Sequence, residues 1–417
     1  MGGRMNIYLI VILVILIGHF CLELMIEMLN LQAISTKVPE EFEDTYDPEK
    51  YRKSQDYLKA TTKFHLIREG FTLTLTTAFI VLGGFNVIDR LARGIAQGEI
   101  VTGLIFAGVL MGVSLLTTIP FSYYSTFVIE EKFGFNKTSQ KTFILDILKS
   151  VLLSVVLGGI LYALIIWFFE KAGALAWIYA WGAVTLFQLF ITFLAPVMIL
   201  PLFNKFIPLE DSVLKQAIEN YAKTQRFQIQ GIFKMDGSRR STKTNAFFTG
   251  FGKYRRIALF DTLIERHTID ELVSVLAHEI GHCQLRHVTK MVVWSIINAG
   301  LMFFLMGFFI DNAGLFSAFR MEETSIYASL FFFGFLYTPV SLVLSVITNN
   351  ISRHHEYQAD QFAVRTYQKP EAMIMALKKL SVDNLSNLTP HPLKVFFDYS
   401  HPTVLKRIER MREFHGS

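Results

Sequence analysis

Cysteine is nearly absent from this 417-residue sequence: there are two, Cys21 and Cys283, in segments of unlike character. Two such cysteines make no disulfide framework, and they suit polar parts that face a reducing compartment. Charge is also scarce. Asp, Glu, Lys and Arg make up 18% of the residues against 52% hydrophobic, and mean hydropathy is +0.39, which removes the ordinary soluble globular class and leaves a membrane protein. A basic arm is missing as well. The net charge of +5 is spread over loops, so the pI near 9.0 argues for no nucleic-acid partner. The opening MGGRMN lacks the Ser or Thr of a myristoylation signal. The uncharged run at 5–22 has no small-residue cleavage site, so it reads as a retained span. No internal repeat or low-complexity tract is present.

What the sequence does have is seven long stretches free of Asp, Glu, Lys and Arg, at 5–22, 70–88, 100–129, 151–169, 172–204, 291–310 and 324–352. A helix needs about 20 apolar residues to cross a bilayer, so each is a candidate span and the lipid bilayer is the first partner. Pro120, Pro196 and Pro201 fall inside the longer stretches, which are therefore expected to include loop or re-entrant residues. Seven crossings put the termini on opposite sides. Arg4, Arg90, Arg93, Lys171 and Arg320, five of the 40 Lys and Arg, lie on the N-terminal side; the short loops of the other side carry 11. The positive-inside rule then places the N-terminus outside.

The resulting division is 1–204 with spans one to five, 205–290 as a cytoplasmic polar part, 291–352 with spans six and seven, and 353–417 as a cytoplasmic tail. The segments at 205–290 and 353–417 are the only ones large enough for a polar domain, and they share one side, so they are expected to fold together. Within the first, RFQIQGIFKMDGS and NAFFTGFGKYRRIALF hold short apolar runs broken by glycine, which predict two or three strands. A helix should follow, because Thr268 with Glu271 forms a capping box and Asp270 and Glu271 complement its dipole.

That helix carries HEIGH. His278 and His282 are four apart and share a face, so both imidazoles can meet one ion, and Glu279 can reach the water that ion activates. A hydrolytic zinc site needs three protein ligands and an open position, with the water acidified to a pKa of about 7. Gly281 admits two readings, room for close approach of a substrate or a neighbouring element, or simple helix packing.

The third ligand must come from elsewhere, and SRHHEYQADQFA, just after the last span, offers it. Glu356 and Asp360 are again four apart, so one can bind zinc while the other orients a ligand imidazole. His354 and His355 are fallback ligands. Arg353 could neutralise these carboxylates or anchor at the membrane interface. Near the C-terminus, His401 precedes Pro402 and is a candidate donor to the oxyanion, with helix capping as the other reading. Arg407 could pair with Glu356 or Asp360 or lie on the surface.

Taken together, HEIGH, EYQAD, FVIEEKFGFNKTS, APVMILPLFNKFIPL, TNAFFTG and YSHPTVLKR resemble the type-1 CAAX prenyl protease family over nearly the whole chain. The resemblance implies an α-helical integral membrane protein in which seven transmembrane helices form a barrel around a large chamber. A gluzincin-type zinc metallopeptidase domain with a small β-sheet caps that chamber on the cytoplasmic side. It implies one Zn2+ held by His278, His282 and Glu356, with Glu279 catalytic and Asp360 supporting a ligand. It further implies that Asn245 and Ala246 lie on an edge strand that pairs with the substrate backbone. His401 matches the residue assigned to the reaction intermediate and Arg407 an arginine near the metal. The expected substrates are peptides with a C-terminal CAAX-type prenylated end, or other lipid-linked or apolar peptides. The short outer loop at 311–323 points to a bacterial member in the inner membrane, with the endoplasmic reticulum membrane as the place for a eukaryotic one. The rivals are a quality-control metalloprotease of the HtpX type, which lacks the EEKFGFN run, a site-2-type protease, whose motif lies within a span, and a transporter with structural zinc. Structural zinc takes four protein ligands, and only Cys283 lies near the motif.

Overall fold

The computed structural model describes residues 6–249 and 255–416, so Arg4, Met5 and the centre of the glycine-broken run at 250–254 lie outside the described residues. Among the described residues six helices are long and apolar enough to cross a membrane: Ile7–Gln32, Glu99–Glu130, Gln140–Lys171, Gly173–Phe203, His287–Met306 and Ile326–Tyr367. The seventh crossing is a bent pair, Pro48–Val81 and Gly84–Ile95, turned by 63°. The stretch at 70–88 was expected as one straight span. It breaks because Gly83 takes a left-handed φ of +78° and a Cβ on Gly84 would sit 2.4 Å from the Phe79 ring, so the chain folds back over Phe79 where only glycine fits.

The prolines also act differently from expectation. No loop interrupts the spans at Pro120, Pro196 or Pro201. Pro120 sits inside the helix Glu99–Tyr124, which runs on into a π-helical turn, Ser125–Glu130. Pro196 and Pro201 occupy the first positions of the π turn Ala195–Ile199 and of the helix Leu200–Phe203. Wide turns of this kind absorb the shifted hydrogen bonds that a proline leaves behind.

Burial along the spans follows one pattern. Buried residues gather toward the ends of most spans, and no residue is buried over 13–25, 63–79, 107–128, 143–165, 181–203, 288–302 or 334–354. A helix in a filled bundle buries one stripe continuously. Here no such stripe runs through the middle sections, which fits helices arranged as a barrel around open space rather than as a filled bundle. One end is sealed by an aromatic cluster that includes Phe85, Phe106, Phe316, Phe319, Tyr327 and Phe332, with Phe319 stacked on Phe332 at 3.8 Å.

The polar domain closes the other end. Four short strands, β1 (Phe206–Pro208), β2 (Gly231–Met235), β3 (Ala246–Thr249) and β4 (Arg256–Phe260), lie in the order β1-β2-β4-β3. β2 and β4 run parallel, and the other two pairs are antiparallel. The strand β1 was not anticipated, since three residues ending in Pro208 carry no periodicity. The sheet covers the helix Ile269–Gln284, hereafter the metal helix, whose buried residues include Leu272, Val273, Leu276, Ala277 and Ile280. The expected capping box is present: Thr268 Oγ1 accepts from Glu271 N and Glu271 Oε2 from Thr268 N.

The polar domain has a third contributor that the loop lengths did not reveal. Val38, Phe42, Tyr46 and Tyr51, between the first and second spans, pack with Met373, Ile374, Ile408 and Met411 of the tail. Buried Lys378 pairs with Glu41 at 2.9 Å and Asp44 at 3.1 Å, which neutralises a charge that burial alone would penalise.

Candidate metal centre

The metal helix packs side by side with the C-terminal end of the long helix Ile326–Tyr367, and Gly281 permits this. A Cβ there would stand 3.2 Å from Ala359 Cα and 3.2 Å from Phe362 Cβ. Of the two readings of Gly281, close helix packing is the observed one. The contact sets Glu356, one turn above Ala359, against the two motif histidines.

Nε2 of His278 and Nε2 of His282 are 3.1 Å apart. Glu356 approaches both, with Oε2 3.4 Å from His278 Nε2 and Oε1 3.2 Å from His282 Nε2. These three residues form a group able to hold a metal, with ligand atoms all within 4.8 Å of one another. Two nitrogens bound at about 2.0–2.1 Å to one tetrahedral zinc stand roughly 3.3 Å apart, so the spacing fits. Two further observations agree. Glu356 Oε2 is buried without a hydrogen-bond partner among the described residues, although Arg407 Nη1 lies at ion-pair range, 3.4 Å. Burial opposes charging the His278 ring, but Asp360 and Glu356 outweigh it and carry its pKa up to about 9, so this pocket favours a positive charge.

The remaining residues sort themselves around this group. Asp360 Oδ1 accepts from His278 Nδ1 at 2.8 Å, leaving His278 Nε2 free to face the group's centre. Arg407 reaches Asp360 with two donors and is buried. Glu279 is largely enclosed, and burial pushes its carboxyl above the ordinary range. His401 stands at the rim, with Nε2 3.4 Å from Glu356 Oε1 and a side chain 62% exposed. Its Nδ1 contacts Ser400 Oγ at 2.9 Å, while Thr403 caps the C-terminal helix by accepting from Lys406 N, so His401 does not cap.

Arg353 is not brought to the carboxylates. Its Nη1 donates to the carbonyls of Val395 and Tyr399, at 3.0 and 2.7 Å, because it leaves the long helix one turn too early to face the metal helix; it holds the segment that leads to His401. His354 and His355 likewise stay out of the ligand group. Cys283 has its thiol pKa pushed up to about 11 by burial, and among the described residues the group offers three protein ligands, not the four of a structural zinc site.

A cleft of about 690 Å³ opens beside the group, lined among others by Thr244, Asn245, Asn384, His401 and Arg407. β3 forms one edge of the sheet. Asn245 O accepts from Phe260 N on the inner side, so by strand alternation Ala246 presents its backbone outward, with its N–H held by Asn245 Oδ1 at 2.8 Å. Sequence reasoning missed Asn384, which clasps Thr244 just ahead of the strand: Oδ1 accepts from Thr244 N at 3.1 Å and Nδ2 donates to Thr244 O at 3.3 Å. No local pattern signals this, since 140 residues separate the two.

The run FVIEEKFGFNKTS braces the same approach. Thr242 N donates to Phe135 O and Lys137 N to Arg240 O, both at 3.0 Å. Lys243 pairs with Glu130 at 3.0 Å, and Glu130 also accepts from Tyr57. Arg240 reaches back to Asp146 at 2.8 and 3.0 Å, which ties the segment preceding β3 to a span.

Residues 27–205 match the family described as CAAX prenyl protease N-terminal, five membrane helices, and residues 208–415 match Peptidase family M48. The chain is 35% identical over 419 residues to CAAX prenyl protease 1 of Saccharomyces cerevisiae, covering 94% of this chain and 92% of that protein. The chain belongs to the type-1 CAAX prenyl protease family, within peptidase family M48. It is also similar to the CAAX prenyl protease 1 homologs of Oryza sativa subsp. japonica, 36% identical with 88% of each chain covered, and of Homo sapiens, 31% identical with 91% of this chain and 89% of that one. The crystal structure of S. mikatae Ste24p superposes with a TM-score of 0.92 at 34% identity, over 97% of this chain and 99% of that chain. Membership carries the fold class expected from the motifs, a seven-helix membrane barrel with an M48 domain, and makes the chain a multi-pass membrane zinc metalloendopeptidase acting on peptides. The quality-control and transporter readings are not favoured by these relatives.

Proposed function

We propose that this protease cleaves peptides with a prenylated CAAX-type C-terminus, and that one zinc ion held by His278, His282 and Glu356 serves the reaction. The observation that carries this reading is that the three-residue group lies beside an open cleft, in a domain that caps a seven-helix membrane barrel whose middle sections are unburied. A lipid-linked chain end can occupy such a space while its backbone reaches the polar cleft.

A zinc ion held there would supply Lewis acidity toward the scissile carbonyl and the attacking water. Glu279 takes that water's proton and returns it to the leaving amine, a role its burial-raised pKa suits. His401, exposed to the cleft and close to Glu356, donates to the oxyanion. The outward backbone at Ala246, steadied by Asn245, pairs with the substrate as an added strand. Asp360 and Arg407 hold His278 and Glu356 in place. Arg353 acts on the His401 segment instead. In this reading 205–290 and 353–417 build the hydrolytic domain between and after the span blocks 1–204 and 291–352. On the distribution of Lys and Arg it faces the cytoplasm with the N-terminus outside, and on the short loop at 311–323 we place it in a bacterial inner membrane.

The test compares cleavage of a farnesylated CAAX peptide, its unmodified form and an unrelated apolar peptide, each with and without a zinc chelator. Preference for the farnesylated peptide, abolished by the chelator, is the expected result. Equal cleavage of all three would overturn the substrate assignment and leave general membrane proteolysis.

A further inference from the structure

His278 has a carboxylate behind it, but among the described residues His282 has none; its Nδ1 instead lies 3.1 Å from Nδ1 of His287. We propose that His287 is the positioning residue for His282, an imidazole behind an imidazole, held in turn by Gln358. The inference rests on His282 being a zinc ligand, as assigned above.

Proton placement supports it. Two ring nitrogens at this distance share one hydrogen. If His282 keeps its Nε2 lone pair for the ligand group, its hydrogen is on Nδ1 and is donated to His287 Nδ1. His287 then carries its hydrogen on Nε2, where an acceptor waits: Gln358 Oε1 at 2.9 Å. The Gln358 amide nitrogen, left as a donor, meets His354 Nε2 at 3.1 Å. Every donor in the chain His282, His287, Gln358, His354 points the same way. Reversing it would put a hydrogen on His282 Nε2, aimed at His278 Nε2 only 3.1 Å away.

The frame around His287 is rigid. The ring is 2% exposed and stacked on His355 at 4.0 Å with 9° between planes. Arg286, in the left-handed region at φ 58°, ends the metal helix and turns the chain so that a residue five beyond His282 points back at it. Without that turn, continued helix would carry position 287 about 140° around the axis from 282, at about 100° per residue. His287 is also the first residue of a membrane span, His287–Met306, so that span is pinned to a ligand. A neutral imidazole orients His282 without adding a fourth carboxylate to Glu279, Glu356 and Asp360.

The experiment uses the full-length protein in detergent. Zinc dissociation constants come from competition with a chromogenic chelator, alongside melting temperatures of the metal-free protein. His287→Leu removes the acceptor, Gln358→Leu releases His287, and His287→Asn restores an acceptor oxygen without the ring. We expect His287→Leu to weaken zinc binding by about 10–100-fold, the range for lost partners of ligand histidines, Gln358→Leu to weaken it less, and His287→Asn to recover most of it even where its metal-free melting matches that of His287→Leu. Zinc affinity of His287→Leu within twofold of the parent, or no recovery in His287→Asn, would overturn the proposal while leaving the ligand set intact. A parent protein that takes up no zinc would overturn the ligand assignment itself.

Discussion

Arg407 closes on both oxygens of Asp360, with Nη2 2.6 Å from Oδ1 and Nε 2.8 Å from Oδ2, and the same Oδ1 accepts from His278 Nδ1. One carboxylate thus links the C-terminal helix to a motif histidine. Removing one partner of a buried pair strands the other charge and costs about 3–5 kcal/mol. Arg407→Met should lower stability by that order in thermal unfolding, and a change below about 1 kcal/mol would show that Asp360 does not depend on it.

Glu279→Gln keeps the shape of the side chain and removes the base. Zinc content by elemental analysis should stay at the parent level, while kcat falls by about 10²–10⁴, the usual contribution of a positioned acid–base group. Retained turnover would remove Glu279 from the mechanism.

Glu356→Ala should lower zinc occupancy in the purified protein, since the motif histidines would keep only two of three ligand atoms. Full occupancy would point the search for the third ligand to His354 or His355.

Asn384→Ala should act on substrate affinity, because its two hydrogen bonds to Thr244 set the strand ahead of Asn245. At about 1 kcal/mol each they amount to a KM increase of roughly 10-fold or more, with zinc content unchanged. An unchanged KM would separate β3 from substrate binding.

His267, just before the cap of the metal helix, is held below its ordinary pKa chiefly by burial, against a raising effect of Glu271. A lowered folded pKa means the unfolded chain binds protons first as pH falls. His267 therefore costs no stability above about 6.5, the unfolded value, and destabilises progressively as pH drops from there toward its folded pKa. In His267→Gln the melting temperature should fall less between pH 7 and pH 5 than in the parent; parallel curves would contradict this.

Span number was legible because hydropathy is local: charge-free stretches show wherever the chain crosses lipid. The bend at Gly83 was not, since it depends on Phe79 lying where a Cβ of Gly84 would be. Nor was the helical path through Pro196 and Pro201, which a π turn decides rather than the prolines themselves.

By itself the sequence determined the crossings, the capping box at Thr268 and the pair of imidazoles on one helical face, because each follows from residues within a few turns of one another. The resemblance of its motifs added the family. Only the tertiary structure decided that Glu356 lies against both motif imidazoles while Asp360 meets His278 Nδ1 and Arg407, that Arg353 serves the His401 segment, that Gly281 is a packing glycine, and that His287 stands behind His282. Those outcomes depend on side chains meeting across helices whose relative placement, here set by the contact of Gly281 with Ala359, leaves no periodic trace in either segment.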